Sequence, residues 1–219
     1  LWKDVETSSI QIKKFKSACF NFYYKKTLLR VDKYQKKHQI KDQSTFINGT
    51  KVPSVEKMLS IVDWNYISTG IPSNFHGDLQ FDNILLKENG NFLILDWRQD
   101  FSGLIDYGDR YFDLAKLNGG MMVSYKLIKQ NKFVFHKDSK GSILINHDVP
   151  IELKRARNIF RKYLIDKNLD EIKVSILTGL VYLNMAPMHH EPFDHFIYNL
   201  GRLSLYKALL RHGTINVVD

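Results

Sequence analysis

The segment Phe75-His76-Gly77-Asp78-Leu79-Gln80-Phe81-Asp82-Asn83-Ile84-Leu85 carries residue types at a spacing suited to phosphoryl transfer. In a His-x-Asp-x-x-x-x-Asn arrangement the aspartate can reach an acceptor hydroxyl and take its proton. The asparagine that follows can turn back to hold a magnesium ion. Asp78 is the expected base and Asn83 an expected metal ligand. A further carboxylate, Asp96, comes directly after the apolar run Phe92 to Leu95. A strand that delivers an aspartate there would complete a magnesium site for nucleotide phosphates. Each residue also has a plainer reading: His76 and Asp78 can cap a turn, and Asp96 can end a strand. Order and spacing together favour the joint reading.

The elements that must position these residues follow from periodicity. Ile84-Leu85-Leu86 and Phe92-Leu93-Ile94-Leu95 flank Lys87-Glu88-Asn89-Gly90-Asn91, and Asn-Gly favours the positive φ angles of a tight turn. This predicts a β-hairpin between the loop and Asp96. A second hairpin is expected from Phe133-Val134-Phe135 and Ile143-Leu144-Ile145. Asn48-Gly49-Thr50 matches a glycosylation pattern but reads as a turn. The remainder has helical spacing. Phe15, Cys19, Phe22 and Tyr23 recur on one face of a helix from about Ser9 to Lys37, with Leu28, Leu29 and Val31 continuing it. Further helices are expected at Pro53 to Val62, Tyr111 to Ile128, Ile151 to Ile165, Asp170 to Met185 and Pro192 to Arg211. Asp170 suits an N-cap, and Pro192 a first turn. The expected class is α+β, mostly α, with two short hairpins in a single unit.

His76-Gly77-Asp78-Leu79, Asn83-Ile84-Leu85 and Ile94-Leu95-Asp96-Trp97 resemble the aminoglycoside phosphotransferase and choline kinase superfamily. Asp106-Tyr107-Gly108-Asp109-Arg110-Tyr111-Phe112-Asp113 is similar to that family's segment leading into the next helix. The resemblance is sharp over about His76 to Leu117. It implies a protein-kinase-like C-terminal lobe that phosphorylates a small-molecule hydroxyl, of the amino alcohol or sugar class, with ATP and Mg2+. Asp78 then corresponds to the base, Asn83 and Asp96 to metal ligands, and His76 to a residue that shapes the loop. Asp109 and Asp113 are expected to be structural. The residues before His76 read as helices, with no Gly-rich loop and no strand lysine. The nucleotide-covering lobe is therefore expected elsewhere, in a longer chain or a partner, and the isolated chain is expected to be poorly active. Trp97, Tyr107 and Glu191 are candidate acceptor-binding residues, since aromatic and acidic groups surround a bound cation in choline-binding relatives. His189 and His190 are expected to cap the following helix rather than hold zinc, because adjacent side chains point apart.

Composition bounds the rest. The 219 residues are 44% hydrophobic, enough for a core, and no apolar run approaches the roughly 20 residues of a membrane span. No secretory signal is visible, and the lone Cys19 excludes an intrachain disulfide, so a cytoplasmic protein without a membrane partner is expected. The net charge is +9. The lysines, among them Lys13, Lys14, Lys16, Lys25, Lys26, Lys36, Lys37 and those from Lys154 to Lys162, fall in helical stretches and read as solvated faces, with no nucleic-acid motif near them. Two other classes fit the residues less well. A non-catalytic kinase-like binding module would not need Asp78, Asn83 and Asp96 together. A haloacid-dehalogenase phosphatase would need an aspartate two residues after Asp96, where Arg98 stands.

Overall fold

Ser8 opens the first helix with a capping box: its side chain accepts the Gln11 amide while Gln11 returns the bond to the Ser8 amide. Helix α1 (Ser9–Phe20) runs into a π turn (Asn21–Lys25), closed by the Lys26 amide donating to Asn21 O, and continues as α2 (Lys26–His38). Phe15, Cys19, Phe22, Tyr23, Thr27, Val31 and Tyr34 are buried along it. Leu28 and Leu29, expected on the apolar face, are exposed. The π turn inserts about one residue into the 3.6-residue period, so the positions after it are rotated. Lys13, Lys14, Lys16, Lys25 and Lys36 are solvated as expected, but Lys26 is turned partly inward.

The computed structural model describes residues 1–213. A hairpin of β1 (Thr45–Ile47) and β2 (Thr50–Val52) follows α2. Asn48 and Gly49 both take positive φ, 49° and 75°, as a two-residue hairpin turn requires. The sequence signalled only a turn there, because three-residue strands leave almost no alternation to read. Helix α3 (Val55–Ile61) begins at Ser54, whose hydroxyl accepts the Lys57 amide at 3.2 Å, and α4 (Trp64–Ser68) begins at Asp63. The strand β3 (Pro72–Ser73) leads into the candidate loop.

The expected central hairpin forms. β4 (Ile84–Leu86) pairs antiparallel with β5 (Phe92–Ile94), with Ile84 opposite Ile94 and Leu86 opposite Phe92. Only Gly90 in its turn takes positive φ, at 79°. β6 (Gly108–Asp109) pairs with β3 and starts α5 (Arg110–Met122). The single helix expected over 111–128 is instead broken: Val123 is extended, at φ −127° and ψ 114°, and a short α6 (Tyr125–Lys129) follows. β7 (Phe133–Lys137) and β8 (Ile143–His147) form the other expected hairpin. It joins the first one in a four-stranded sheet ordered β2-β1-β8-β7. Asn48 stitches the join: its Oδ1 accepts the Ile145 amide and its Nδ2 donates to Ile145 O, both at 2.8 Å.

Helices α7 (Ile151–Asp166), α8 (Glu171–Met185) and α9 (Phe193–His212) complete the chain as described. Asp170 caps α8, its Oδ1 accepting the Ile172 and Lys173 amides. The fold is α+β and mostly α. Its core lies between α8 and α9, with α2 and α5 packed on α8. Cys19 sits in that core, where burial pushes its thiol well above the ordinary range, consistent with packing rather than reactivity. Among the described residues no helix is long and apolar enough to cross a membrane.

Candidate phosphoryl-transfer site

The candidate loop is fixed from below by a buried carboxylate. Asp113, in the first turn of α5, accepts the backbone amides of His76 and Gly77, each at 2.7 Å. The Trp2 indole donates to the same carboxylate at 2.9 Å. Burial raises the Asp113 pKa, and the three donors offset part of that rise. Asp109, at the start of the same helix, is also buried. It accepts the Tyr23 hydroxyl at 2.7 Å and the Ile71 amide at 2.9 Å. Asp113 is thus scaffold for the loop, and Asp109 for the start of α5 that carries it.

His76 ties the loop to the hairpin. Its Nδ1 accepts the Asp78 amide at 3.2 Å, and its Nε2 lies 2.5 Å from Leu95 O. A carbonyl only accepts, so the proton belongs on Nε2. Gly77 has φ +82°, and a Cβ there would stand 2.4 Å from Arg98 Cβ, so glycine is required. Arg98 closes the frame: its amide donates to His76 O at 2.8 Å and its Nε to Gly77 O at 3.2 Å.

On this frame Asp78 and Asn83 meet directly. Asn83 Nδ2 donates to Asp78 O at 2.9 Å and lies 3.4 Å from Asp78 Oδ2. Asp96 is brought alongside by backbone: the preceding Leu95 donates its amide to Asn83 O at 2.9 Å while its carbonyl holds His76. Asp96 itself takes a left-handed φ of 58°, sparsely populated for a non-glycine residue. Its carboxylate is exposed and has no hydrogen-bond or ion-pair partner among the described residues. The donor set suits a hard cation. Asn83 spends its amide nitrogen on Asp78, which leaves its oxygen as the group available to a metal, and Asp96 offers an unengaged carboxylate.

Asp78 has two different flanks. Oδ2 faces Asn83 and Gln80, while Oδ1 lies 2.6 Å from Lys116 Nζ on α5. Beyond Lys116 opens a cavity of about 200 Å³ between α2, α5 and α8, to which Lys26, Arg30 and Arg98 also contribute. Lys116 and this cavity carry no signal in the motif. The two lysines and Arg30 lie in helices, where a cation reads as surface.

The expected acceptor residues separate. Trp97 stays at the loop, with its ring edge on His76 at 5.1 Å and its indole donating to Ile94 O at 3.1 Å. Tyr107 is in the core against Phe15, because its strand-proximal position faces α1. Glu191 lies with a different group, 3.3 Å from His38 Nδ1. That group borders a larger cavity of about 730 Å³. Within the group, ligand atoms of His38, Asp194 and His195 fall within 4.8 Å of one another. Asp194 is already engaged there by Lys37 Nζ at 2.7 Å, His38 Nε2 at 2.8 Å and the His195 amide at 2.7 Å. It acts as a buried counter-ion. His189 and His190 do not cap α9 with their side chains: Pro192 is the N-cap, without a side-chain bond. The His189 ring packs on Phe193 instead, and its carbonyl accepts Lys37 Nζ at 2.8 Å.

Comparison with protein-family models, with curated proteins and with solved structures returns no match for this chain.

Proposed function

We propose that the chain is a kinase-like C-terminal lobe that transfers phosphate from ATP to a hydroxyl of a small molecule. One observation carries the reading. Asp78 and Asn83 are hydrogen-bonded to each other, and the residue before Asp96 is bonded to both Asn83 and His76, so three phosphoryl-transfer residues share one braced frame. Asp78 takes the proton as the acceptor oxygen attacks. Asn83 and Asp96 would hold Mg2+, which when bound would supply charge neutralisation for the nucleotide phosphates. His76, Gly77, Arg98 and Asp113 hold the loop in shape. The nucleotide cover is assigned to a further segment, of a longer chain or a partner.

The test is transfer of labelled γ-phosphate to a panel of hydroxyl compounds with Mg2+. It is run on this chain and, in parallel, on the product of the longest reading frame that contains it. Failure of transfer in both, with no magnesium-dependent nucleotide binding, rules the reading out. A second reading, a non-catalytic kinase-like binding module, rests on the Lys116–Asp78 pair, which engages the expected base at 2.6 Å. Magnesium-dependent nucleotide binding without turnover of any acceptor selects it.

A further inference from the structure

The cavity on the Oδ1 flank of Asp78 has a charge pattern that bears on the acceptor. Four of its lining residues, Lys26, Arg30, Arg98 and Lys116, are cations, and none of its lining residues is a carboxylate. Among the described residues only Lys116 has a carboxylate partner, Asp78 itself. Lys26 Nζ lies over the Phe22 ring, 4.0 Å from its centroid. Arg30 donates to the Met188 thioether, and Arg98 to the Gly77 carbonyl. Three cations thus converge on a small space with only neutral partners. Their mutual repulsion and burial lower the Lys26 pKa to about 8, through desolvation first and then Arg98, Arg30 and Lys116. Lys26 and Arg30 are half-buried and Arg98 is exposed; half-buried positive charge without a counter-ion is costly, and an anion placed among the cations relieves that cost. The arginine guanidinium is the side chain best matched to carboxylate and phosphate oxygens.

Position assigns the cations to the acceptor rather than to the nucleotide. Oδ2 of Asp78 faces Asn83, the expected metal side, while Oδ1 meets Lys116, which lines the cavity. A hydroxyl that gives its proton to Asp78 from the Oδ1 flank carries the rest of its molecule into the cavity.

We infer that the acceptor is an anionic hydroxyl compound, a small polyol bearing a carboxylate or phosphate, held by Lys26, Arg30 and Arg98 with its hydroxyl toward Asp78. This rests on the phosphotransferase reading for the hydroxyl, but the charge preference is measurable without turnover. A cationic amino alcohol, one of the two acceptor classes expected from the sequence, is disfavoured by the same charges.

The experiment is calorimetric titration of the full chain with matched compounds: glycerol, glycerate, glycerol 3-phosphate and choline. Glycerate and glycerol 3-phosphate are expected to bind at least about tenfold more tightly than glycerol, and the stronger of the two identifies the anionic group. Arg30→Gln and Lys26→Met, with helicity checked by circular dichroism, are each expected to remove most of that preference. Equal binding of anionic and neutral compounds, or preference for choline, overturns the inference whether or not phosphate is transferred. So does a loss of MgATP affinity in Arg30→Gln with acceptor binding unchanged, which would give the cations to the donor. Anion binding, with no transfer to any acceptor by either this chain or the longer product, supports the charged site and counts against the phosphotransferase reading alone.

Discussion

Lys116 Nζ sits 2.6 Å from Asp78 Oδ1, at the point where the candidate base turns from the metal side to the cationic cavity. The lysine side chain is 11% exposed and the aspartate 27%, so water screens the pair only in part. The contact orients the carboxylate, leaving Oδ2 to Asn83 and Gln80. Lys116→Met should therefore free the carboxylate to swing. It is expected to lower kcat by about tenfold to a hundredfold while MgATP affinity stays within about twofold. Unchanged kcat in steady-state assays would show that the pair does not orient the base.

Asp78→Asn and Asp96→Asn are expected to fail differently. The first keeps the loop's shape and removes the proton acceptor, so turnover should fall by about 10² to 10⁴ with nucleotide binding retained. The second removes the proposed metal ligand, so magnesium-dependent nucleotide binding should weaken along with turnover. Fluorescent-nucleotide titration at several magnesium concentrations separates the two. Identical behaviour of both variants and the parent would dismiss the assignment.

Asp113 satisfies two backbone amides of the loop and one indole. Asp113→Ala leaves buried donors unpartnered and should cost about 3 kcal/mol, read by urea denaturation. Asp113→Asn keeps one acceptor oxygen, so a smaller loss is expected, together with reduced kcat from a looser loop. A loss below about 0.5 kcal/mol for the alanine variant would mean that the loop is held by other contacts.

Anion binding should depend on pH through Lys26, whose pKa is lowered to about 8. The groups facing it are Arg30 on its own helix, Arg98 after β5, Lys116 on α5 and Asp78 in the loop. Lys26 is charged below that pKa, so affinity for glycerate or glycerol 3-phosphate should be highest there and decline as pH rises through about 8. Lys26→Met should flatten the profile. A parent profile that is flat from pH 7 to pH 9 would contradict it.

Asp194 should govern part of the acid limb of stability. Burial acts to raise its pKa, but hydrogen bonds from Lys37, His38 and the His195 amide outweigh it, and the net direction is down. A depressed carboxylate stabilises the fold above its unfolded pKa, and the contribution is lost as pH falls through the folded value. Asp194→Asn should cost about 2 kcal/mol at neutral pH, since Lys37 is partly solvated. The cost should shrink toward pH 3. Thermal melts from pH 3 to pH 7 would show it, and a pH-independent difference would refute it.

Much of this was legible in the residues. The loop from His76 to Asn83, the hairpin that ends before Asp96 and the Asp170 cap are local features written in short patterns, and the structure forms the loop, hairpin and cap there. What was not legible depends on distant packing. No pattern around Lys116 says that its ammonium meets Asp78, because the two lie on different elements. The β1–β2 strands were too short to alternate, and their sheet exists only through pairing with β8, almost 100 residues away. Tyr107 suits a cation site as an aromatic near an element end, but its ring belongs to the aromatic core around Phe15 and Phe101. The break after Met122 follows Gly119-Gly120 and falls on Val123-Ser124, all weak helix formers, so here the local propensity was present and the apolar spacing read over 111–128 overrode it.

The π turn at Asn21–Lys25 gives the charged cavity a geometric origin. One residue corresponds to about 100° of rotation in a regular helix. Deleting a single residue from this turn would leave every cation in the chain and nearly the same hydrophobic content. It would also swing Lys26 and Arg30 away from Arg98 and Lys116, and bring neighbours such as Leu29 toward them. If the cavity takes an anionic acceptor as proposed, that choice rests on helix phase as much as on residue identity, and gain or loss of one codon would exchange it for an apolar one.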